Sequence, residues 1–166
     1  MEIAEATLDQ VPVILKIMEE ARMFQRSMGF RQWDDNYPPA STIENDIALR
    51  QGFVFIIDGK VAAYACIAMG DPEYERMSHI WQHKLPKYAA LHRIAIADEF
   101  QGKGLGAEMF SLMEQNVKDR GVNLVRLETG VPNKVMQRIL TKREYTNLGV
   151  HVFSWGERVA FEKLLN

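Results

Sequence analysis

A glycine-rich hexapeptide at residues 101–106, Gln-Gly-Lys-Gly-Leu-Gly, lies between a strand-like run and a helix-like run. Apolar residues dominate positions 91–97 before it, and apolar residues recur at helical spacing over positions 105–120 after it. A glycine loop that opens a helix exposes backbone N–H groups without intrahelical partners, at the positive end of the helix dipole. Because such groups bind phosphate, this segment predicts a phosphate-bearing ligand.

Hydrophobic periodicity over the rest of the chain predicts an α/β (α+β) fold, with a mixed central sheet flanked by helices. The expected strands are residues 2–6, 53–57, 61–68, 88–97, 123–128, 146–153 and 158–164. The expected helices begin at residues 7, 41, 105 and 132 and end near residues 29, 52, 121 and 143. The order is βααβββαβαββ, and the strand–helix–strand crossover at 91–128 predicts one parallel strand pair.

Short polar motifs mark several of these boundaries. Residues 7–10 and 41–44 each fit a capping box, in which Thr or Ser begins a helix and Gln or Glu follows three residues later. An Asp-Gly pair at 58–59 between two apolar runs predicts a hairpin turn. Residues 70–86 are expected to form a loop with one helical turn.

Length and composition predict one globular domain over residues 1–166, since 47% of residues are hydrophobic and 25% are charged. A net charge of −2 provides no bulk attraction to nucleic acid or to anionic membranes. No apolar run approaches the roughly 20 residues that span a bilayer. Cys66 is the single cysteine, which excludes an internal disulfide, and the acidic start of the chain does not resemble a signal peptide. A cytoplasmic protein is expected.

Other phosphate-binding loops fit the glycines less well. The spacing of a P-loop is absent. Gly102, Gly104 and Ala107 match a dinucleotide fingerprint, with Glu128 as the ribose-binding acid. However, five residues separate the strand from Gly102, and only 38 residues follow Glu128, which is too few to complete a doubly wound sheet.

Residues 94–107 resemble the acyl-CoA-binding signature of the GNAT superfamily of N-acetyltransferases, Arg/Gln-x-x-Gly-x-Gly/Ala, which reads Gln101-x-x-Gly104-x-Gly106 here. The preceding strand, the amphipathic helix that follows and the order of elements along nearly the whole chain fit the same family. The resemblance implies the GNAT fold and an acyltransferase that moves acetyl from acetyl-CoA directly to an amine of a small molecule or peptide.

The same resemblance implies which residues bind acetyl-CoA. Backbone groups of one strand segment would pair with the pantetheine arm, the loop would hold the pyrophosphate, and an asparagine of the next helix would contact the cofactor. These residues are Ile94, Ala95, Ile96, Gln101, Gly102, Lys103, Gly104, Leu105, Gly106, Ala107 and Asn133. Lys103 is equally explained as a solvated loop lysine, and Asn133 as a helix N-cap.

His92 is the candidate general base. Some members of the family carry a glutamate at the position of Ala90, and His92 lies two residues further on the same strand face. The run Leu91-His-Arg-Ile-Ala-Ile96 resembles Leu-His-Ala-Leu-Ala-Val in the arylalkylamine acetyltransferase branch. An imidazole, with an ordinary pKa of about 6.5, suits proton transfer at neutral pH. The alternative is a strand histidine that is hydrogen-bonded in the core.

The expected general acid is missing. In this family the acid is often a tyrosine on the helix that follows the asparagine, but Leu140 occupies that position here. Tyr145 is a possible substitute, and its alternative role is core packing. The CoA thiol, with a pKa of about 8.5 by analogy with cysteine, could leave as a thiolate or take a proton from water.

The loop at residues 32–38 is rich in aromatic and acidic side chains, and Trp33 and Tyr37 are candidates for binding an amine acceptor. A packed lid without substrate contact is the alternative. His79 and His83 are spaced like two zinc ligands, but no third ligand is evident, so no metal is expected. Cys66 is expected to fill the core.

Two other functions stay open at this point. One is a catalytically weak acyl-CoA-binding or regulatory protein of the same fold, and the other is a dinucleotide-dependent oxidoreductase. The sequence does not fix the oligomeric state, and a homodimer is compatible with it.

Overall fold

A computed structural model describes residues 1–166 as a seven-stranded mixed sheet with five helices. The elements are β1 (Glu2–Glu5), α1 (Val11–Ser27), α2 (Ala40–Ala48), β2 (Gly52–Ile57), β3 (Lys60–Met69), α3 (Pro72–Arg76), β4 (Ala89–Ile96), α4 (Leu105–Asp119), β5 (Leu124–Gly130), α5 (Lys134–Lys142), β6 (Thr146–Phe153) and β7 (Gly156–Leu164). The predicted α/β class and element order are confirmed. The one-turn helix α3 occupies the segment where a single helical turn was expected.

The chain divides into two compact units, and β4 contributes residues to both. The first unit comprises Met1–Ile67 and His92–Met113, and the second comprises Ala68–Leu91 and Glu114–Asn166. The expectation of a single domain therefore stays a prediction. None of the helices combines the length and the hydrophobicity that crossing a bilayer requires.

The first unit contains the strand order β1-β2-β3-β4. β1 and β2 are antiparallel, as are β2 and β3, and Ile57 pairs with Lys60 across the tight turn. Asp58 and Gly59 both have positive φ, 49° and 76°, which confirms the predicted Asp-Gly hairpin. Helices α1 and α2 pack on this sheet, and the core includes Ile14, Met18, Ile43, Val54, Tyr64 and Ala95.

Of the two capping boxes predicted in this unit, the one at residues 7–10 is present and the one at residues 41–44 is not. The Thr7 N–H donates to Gln10 Oε1 over 3.0 Å, and this box opens a 3-10 turn that leads into α1. The second predicted box is wrong, because Pro39 is the N-cap of α2 and Ser41 lies inside the first turn. Proline already has the extended ψ of 163° that a helix start requires, so the boundary lies ahead of Ser41.

Gly52 does not end α2, which stops at Ala48. It begins β2, and a Cβ at this position would lie 2.8 Å from the Tyr64 hydroxyl oxygen. A larger residue here would have to displace the Tyr64 hydroxyl, which donates to Asp46.

The second unit contains the strand order β4-β5-β7-β6. β4 and β5 are parallel at Ala89 and Ala90, whereas β5–β7 and β6–β7 are antiparallel. The parallel crossover predicted from the sequence is therefore confirmed. The core of the second unit includes a cluster of aromatic rings. The centroid of the Tyr74 ring lies 4.9 Å from that of Trp81 and 6.0 Å from that of Phe153.

Candidate functional site

The glycine loop joins a 3-10 turn, Asp98–Phe100, to the start of α4 at Leu105. Gly102 and Gly104 have φ values of +74° and +72°, in the left-handed region that side chains disfavour. No atom lies within 4 Å of the position that a Cβ would take at either glycine. The backbone here is open to an approaching ligand, and the first N–H groups of α4 lack intrahelical partners.

Gln101 braces the loop with its side chain. Its Nε2 atom donates to the carbonyl oxygen of Ile96 over 2.8 Å, and its backbone N–H donates to Asp98 over 3.1 Å. The Asp98 N–H in turn donates to Glu20 of α1 over 2.9 Å. The glutamine amide is thus bonded to the end of β4, a role that the sequence motif alone did not indicate.

Lys103 lies at the exposed tip of the loop, with its Nζ atom 5.3 Å from the centroid of the Phe100 ring. This cation–π contact holds the ammonium group beside the loop without burying it. Leu105 and Gly106 form the first turn of α4 and are half-buried, and Ala107 is exposed. The predicted pyrophosphate residues therefore form one continuous backbone segment.

β4 departs from regular strand geometry at Arg93, which has a φ of +51°. A positive φ at a residue other than glycine costs conformational free energy, so the surrounding contacts must stabilise this backbone conformation. Beyond Arg93, Ala95 is buried, and Ile94 and Ile96 are half-buried. These three residues form the C-terminal end of β4, in the first unit.

His92 is half-buried, and its Nε2 atom is buried. Its role as the general base stays a prediction.

The candidate acceptor loop, residues 32–38, is fastened to α1 by Gln25 and Arg26. The buried Gln25 accepts the N–H groups of Gln32 and Trp33, over 3.2 and 3.1 Å. Arg26 pairs with Asp35, so this acid does not act as a free negative charge. The loop is consequently held in place without a ligand.

Trp33 and Tyr37 make an edge contact, with ring centroids 6.1 Å apart. Trp33 packs against the core of the first unit. The Tyr37 hydroxyl oxygen accepts a hydrogen bond from Arg93 Nη1 over 2.8 Å. The structure therefore brings one of the two predicted acceptor residues into contact with the irregular part of β4.

Arg93 also pairs with Asp46, and sequence reasoning missed both residues. The available signal was Asp46 itself, which lies three residues after Ile43 on the apolar face of α2. An acid on such a face requires a buried partner.

Asn133, in the second unit, is the N-cap of α5 and accepts the N–H of Met136 over 3.2 Å through its Oδ1 atom. Leu140 is fully buried, and Tyr145 is buried with the Lys163 ammonium 5.3 Å from its ring centroid. Burial raises the pKa of Tyr145. Neither residue offers an accessible acid, and a contact between Asn133 and a ligand stays a prediction.

The two spaced histidines do not form a metal site. His83 Nδ1 lies 2.7 Å from Glu162 Oε1, and no group of three or more His, Cys, Asp or Glu residues is placed to hold a metal ion. Cys66 is buried as expected, and burial raises the pKa of its thiol to about 12.

Comparison with known proteins agrees with this geometry. The sequence profile of the acetyltransferase (GNAT) family matches residues 16–145. The chain belongs to the GNAT family. A GNAT-family acetyltransferase from Streptococcus agalactiae 2603 has a similar crystal structure, with 30% identity, a TM-score of 0.87 and coverage of 99% of this chain and 95% of that one.

Two more distant proteins share the fold or part of the sequence. A structure from Salmonella typhimurium that contains its cofactor acetyl-CoA has a TM-score of 0.70 at 15% identity, and covers 100% of this chain and 94% of that one. An uncharacterised N-acetyltransferase from Lactobacillus delbrueckii subsp. lactis is 26% identical over 106 residues, which are 63% of this chain and 57% of that relative.

Membership of the GNAT family confirms the fold, the family and the acyltransferase class that were predicted from the loop. It also argues against the dinucleotide-dependent oxidoreductase, whose fingerprint the same glycines partly match. The roles of individual site residues and the identity of the acceptor stay predictions.

Proposed function

We propose that this GNAT protein transfers an acetyl group from acetyl-CoA directly to an amine of a small molecule or peptide. The observation that carries the proposal is the loop before α4. Two left-handed glycines, followed by the first turn of a helix, present consecutive N–H groups that suit a pyrophosphate. The presence of acetyl-CoA in the Salmonella structure of the same fold supports this choice of ligand.

The residues of the first unit fit this ligand. The positions of a Cβ at Gly102 and Gly104 are open, so a phosphate can approach the backbone closely. Lys103, held beside Phe100, adds a positive charge next to the loop. The backbone of residues 94–96 would pair with the pantetheine arm in the manner of an added strand.

When bound, acetyl-CoA supplies the thioester that is attacked and the thiol that leaves. The amine must be neutral to attack, and His92 is the candidate to accept its proton. An N–H group of residues 94–96 would polarise the thioester carbonyl and stabilise the oxyanion that develops on it. Trp33 and Tyr37 would contact the acceptor.

A catalytically weak acyl-CoA-binding or regulatory GNAT protein is the second candidate. The fully buried Leu140 favours it, because the position that carries a tyrosine acid in many relatives provides no proton here. The leaving thiol then relies on its own pKa of about 8.5, by analogy with cysteine, or on water.

Calorimetric titration with acetyl-CoA, CoA and NADPH tests the ligand, and a thiol-release assay over an amine and peptide panel tests the reaction. We expect both CoA species to bind, NADPH not to bind, and thiol release to depend on an amine. Failure of both CoA species to bind would overturn the proposal. Tight binding of acetyl-CoA without turnover of any amine would favour the regulatory alternative.

A further inference from the structure

Asp46 of α2 and Arg93 of β4 form an ion pair with two hydrogen bonds. Arg93 Nε donates to Asp46 Oδ2 over 2.8 Å, and Arg93 Nη2 donates to Oδ1 over 2.6 Å. The Tyr64 hydroxyl donates to the same carboxylate over 2.7 Å. Asp46 is 3% exposed and Tyr64 is fully buried, whereas the Arg93 side chain is 14% exposed, so the pair lies at the edge of the packed interior. Such a bidentate arrangement fixes the plane of the guanidinium group.

The charge of Arg93 is matched by Asp46, so the guanidinium is not an anion-binding site. Its remaining nitrogen, Nη1, donates to the Tyr37 hydroxyl oxygen over 2.8 Å. The three nitrogens of one planar group therefore place an acid of α2 and a phenol of the acceptor loop in fixed relation. A lysine at this position would supply one point charge instead of a planar fork.

The Tyr37 hydroxyl is left as a hydrogen-bond donor. A phenol has one O–H donor besides its acceptor lone pairs, and the bond from Arg93 occupies a lone pair. Burial raises the pKa of Tyr37, which keeps the phenol protonated at neutral pH. Accepting a bond from a cation also strengthens the donor capacity of the same hydroxyl.

We propose that Asp46 and Arg93 are positioning residues that orient the Tyr37 hydroxyl as a hydrogen-bond donor to the acceptor substrate. This inference rests on the proposed acetyl transfer, and it adds two residues that act through Tyr37 without touching the acceptor. Arg93 is also the residue at which β4 adopts a positive φ, so the irregular backbone and the positioning side chain coincide.

Tyr37→Phe removes the donor with little change of shape. Initial rates of thiol release are measured with spermidine, tyramine, glycinamide and a peptide with a free α-amine, together with calorimetric affinity for acetyl-CoA. We expect kcat/KM for the acceptor to fall about 3- to 10-fold, which is the loss of one hydrogen bond, while the acetyl-CoA affinity stays within about twofold. Tyr88→Phe, a buried tyrosine of the second unit whose hydroxyl donates to the Asp71 carbonyl, is the matched control and should keep wild-type kinetics.

Two substitutions of Arg93 separate the positioning role from folding. Arg93→Gly permits the positive φ but removes the guanidinium, and Arg93→Lys keeps a charge for Asp46 without the fork. We expect Arg93→Lys to have a higher melting temperature than Arg93→Gly, close to that of the wild-type protein. Both variants should show the same fall in kcat/KM for the acceptor as Tyr37→Phe. Full recovery of acceptor kinetics in Arg93→Lys would overturn the positioning role.

The outcomes for the two proposals are distinguishable. Wild-type turnover together with unchanged acceptor kinetics in Tyr37→Phe, or equal losses in Tyr37→Phe and Tyr88→Phe, would overturn this inference alone. Binding of acetyl-CoA by the wild-type protein without turnover of any amine in the panel would overturn the proposed reaction and this inference with it.

Discussion

The carboxylate of Glu162 holds the backbone and the ring of His83 at the same time. It accepts the His83 N–H over 2.8 Å and lies 2.7 Å from His83 Nδ1, and its other oxygen accepts the Gln82 N–H over 3.0 Å. Glu162 is 1% exposed. One buried side chain of β7 therefore satisfies three donors of the segment that leads into β4.

Glu162→Gln should destabilise the protein. The amide retains one acceptor oxygen and places an NH2 group against backbone donors, so at least one buried donor loses its partner. We expect the free energy of unfolding to fall by roughly 1–3 kcal/mol in urea titrations. Glu157→Gln, on the exposed side of the same strand, should leave it nearly unchanged, and equal losses in the two variants would contradict this role.

The glycines of the loop should respond differently to alanine. Gly106 lies inside α4 without a positive φ, so Gly106→Ala should stabilise the unliganded protein by roughly 0.5 kcal/mol and weaken acetyl-CoA binding. Gly104→Ala should lose roughly 1–2 kcal/mol because of its φ of +72°, as well as affinity. Gly121, beyond the end of α4, has a similar φ of +74°. As the control, Gly121→Ala should lose stability but keep the wild-type affinity for acetyl-CoA. Wild-type affinity in Gly106→Ala, measured by calorimetry, would exclude close contact between that residue and the ligand.

The features that the sequence predicted correctly depend on interactions between residues close together in the chain. The loop, the helix after it and the Asp-Gly hairpin each depend on backbone preferences of neighbouring residues. The pair between Asp46 and Arg93 joins residues 47 positions apart, and the positive φ of Arg93 has no glycine to signal it. Both depend on how α2 packs against the sheet, which periodicity does not describe.

The side chain of Gln101 shows a related limit. The motif placed Gln101 among the residues expected to bind acetyl-CoA. The structure directs the amide to the Ile96 carbonyl, because an unpaired carbonyl at a strand end requires a donor. Asn133 differs, because the sequence already offered a helix N-cap as one of its two interpretations, and its Oδ1 atom does cap α5.

Asn133 can be tested for a second role through its NH2 group, which the cap does not use. Asn133→Ala should lose about 1 kcal/mol of stability, and Asn133→Ser should recover most of it because serine also caps helices. If the amide donates to acetyl-CoA, as the family resemblance implies, Asn133→Ser should still bind acetyl-CoA several-fold more weakly than the wild-type protein. Recovery of both stability and affinity in Asn133→Ser would leave the cap as the role of this residue.

Glu73 should contribute a pH-dependent part of the stability. Hydrogen bonds from Arg76, and then those from Ser154, lower the pKa of its carboxyl to about 2. The unfolded carboxyl, with a pKa of about 4.3, binds protons more readily, so the contribution is complete above about pH 4.3 and is lost as the pH falls toward 2. Melting curves should show a deficit for Glu73→Gln at pH 7 that narrows below about pH 4.5. Glu44→Gln, at an exposed position of α2, supplies the control, and a deficit independent of pH would contradict the assignment.

His92 is the residue whose substitution most directly tests proton transfer. His92→Gln keeps a polar side chain of similar length but cannot take a proton from the amine, so kcat should fall about 100-fold or more while the affinity for acetyl-CoA changes little. Because the variant has no imidazole to accept the proton, its pH–rate profile should differ from that of the wild-type protein. His79→Gln, at an exposed histidine of the second unit, should retain the wild-type profile. If His92→Gln kept the wild-type pH–rate profile, the amine would lose its proton to another group or to water, and His92 would be a structural residue of β4.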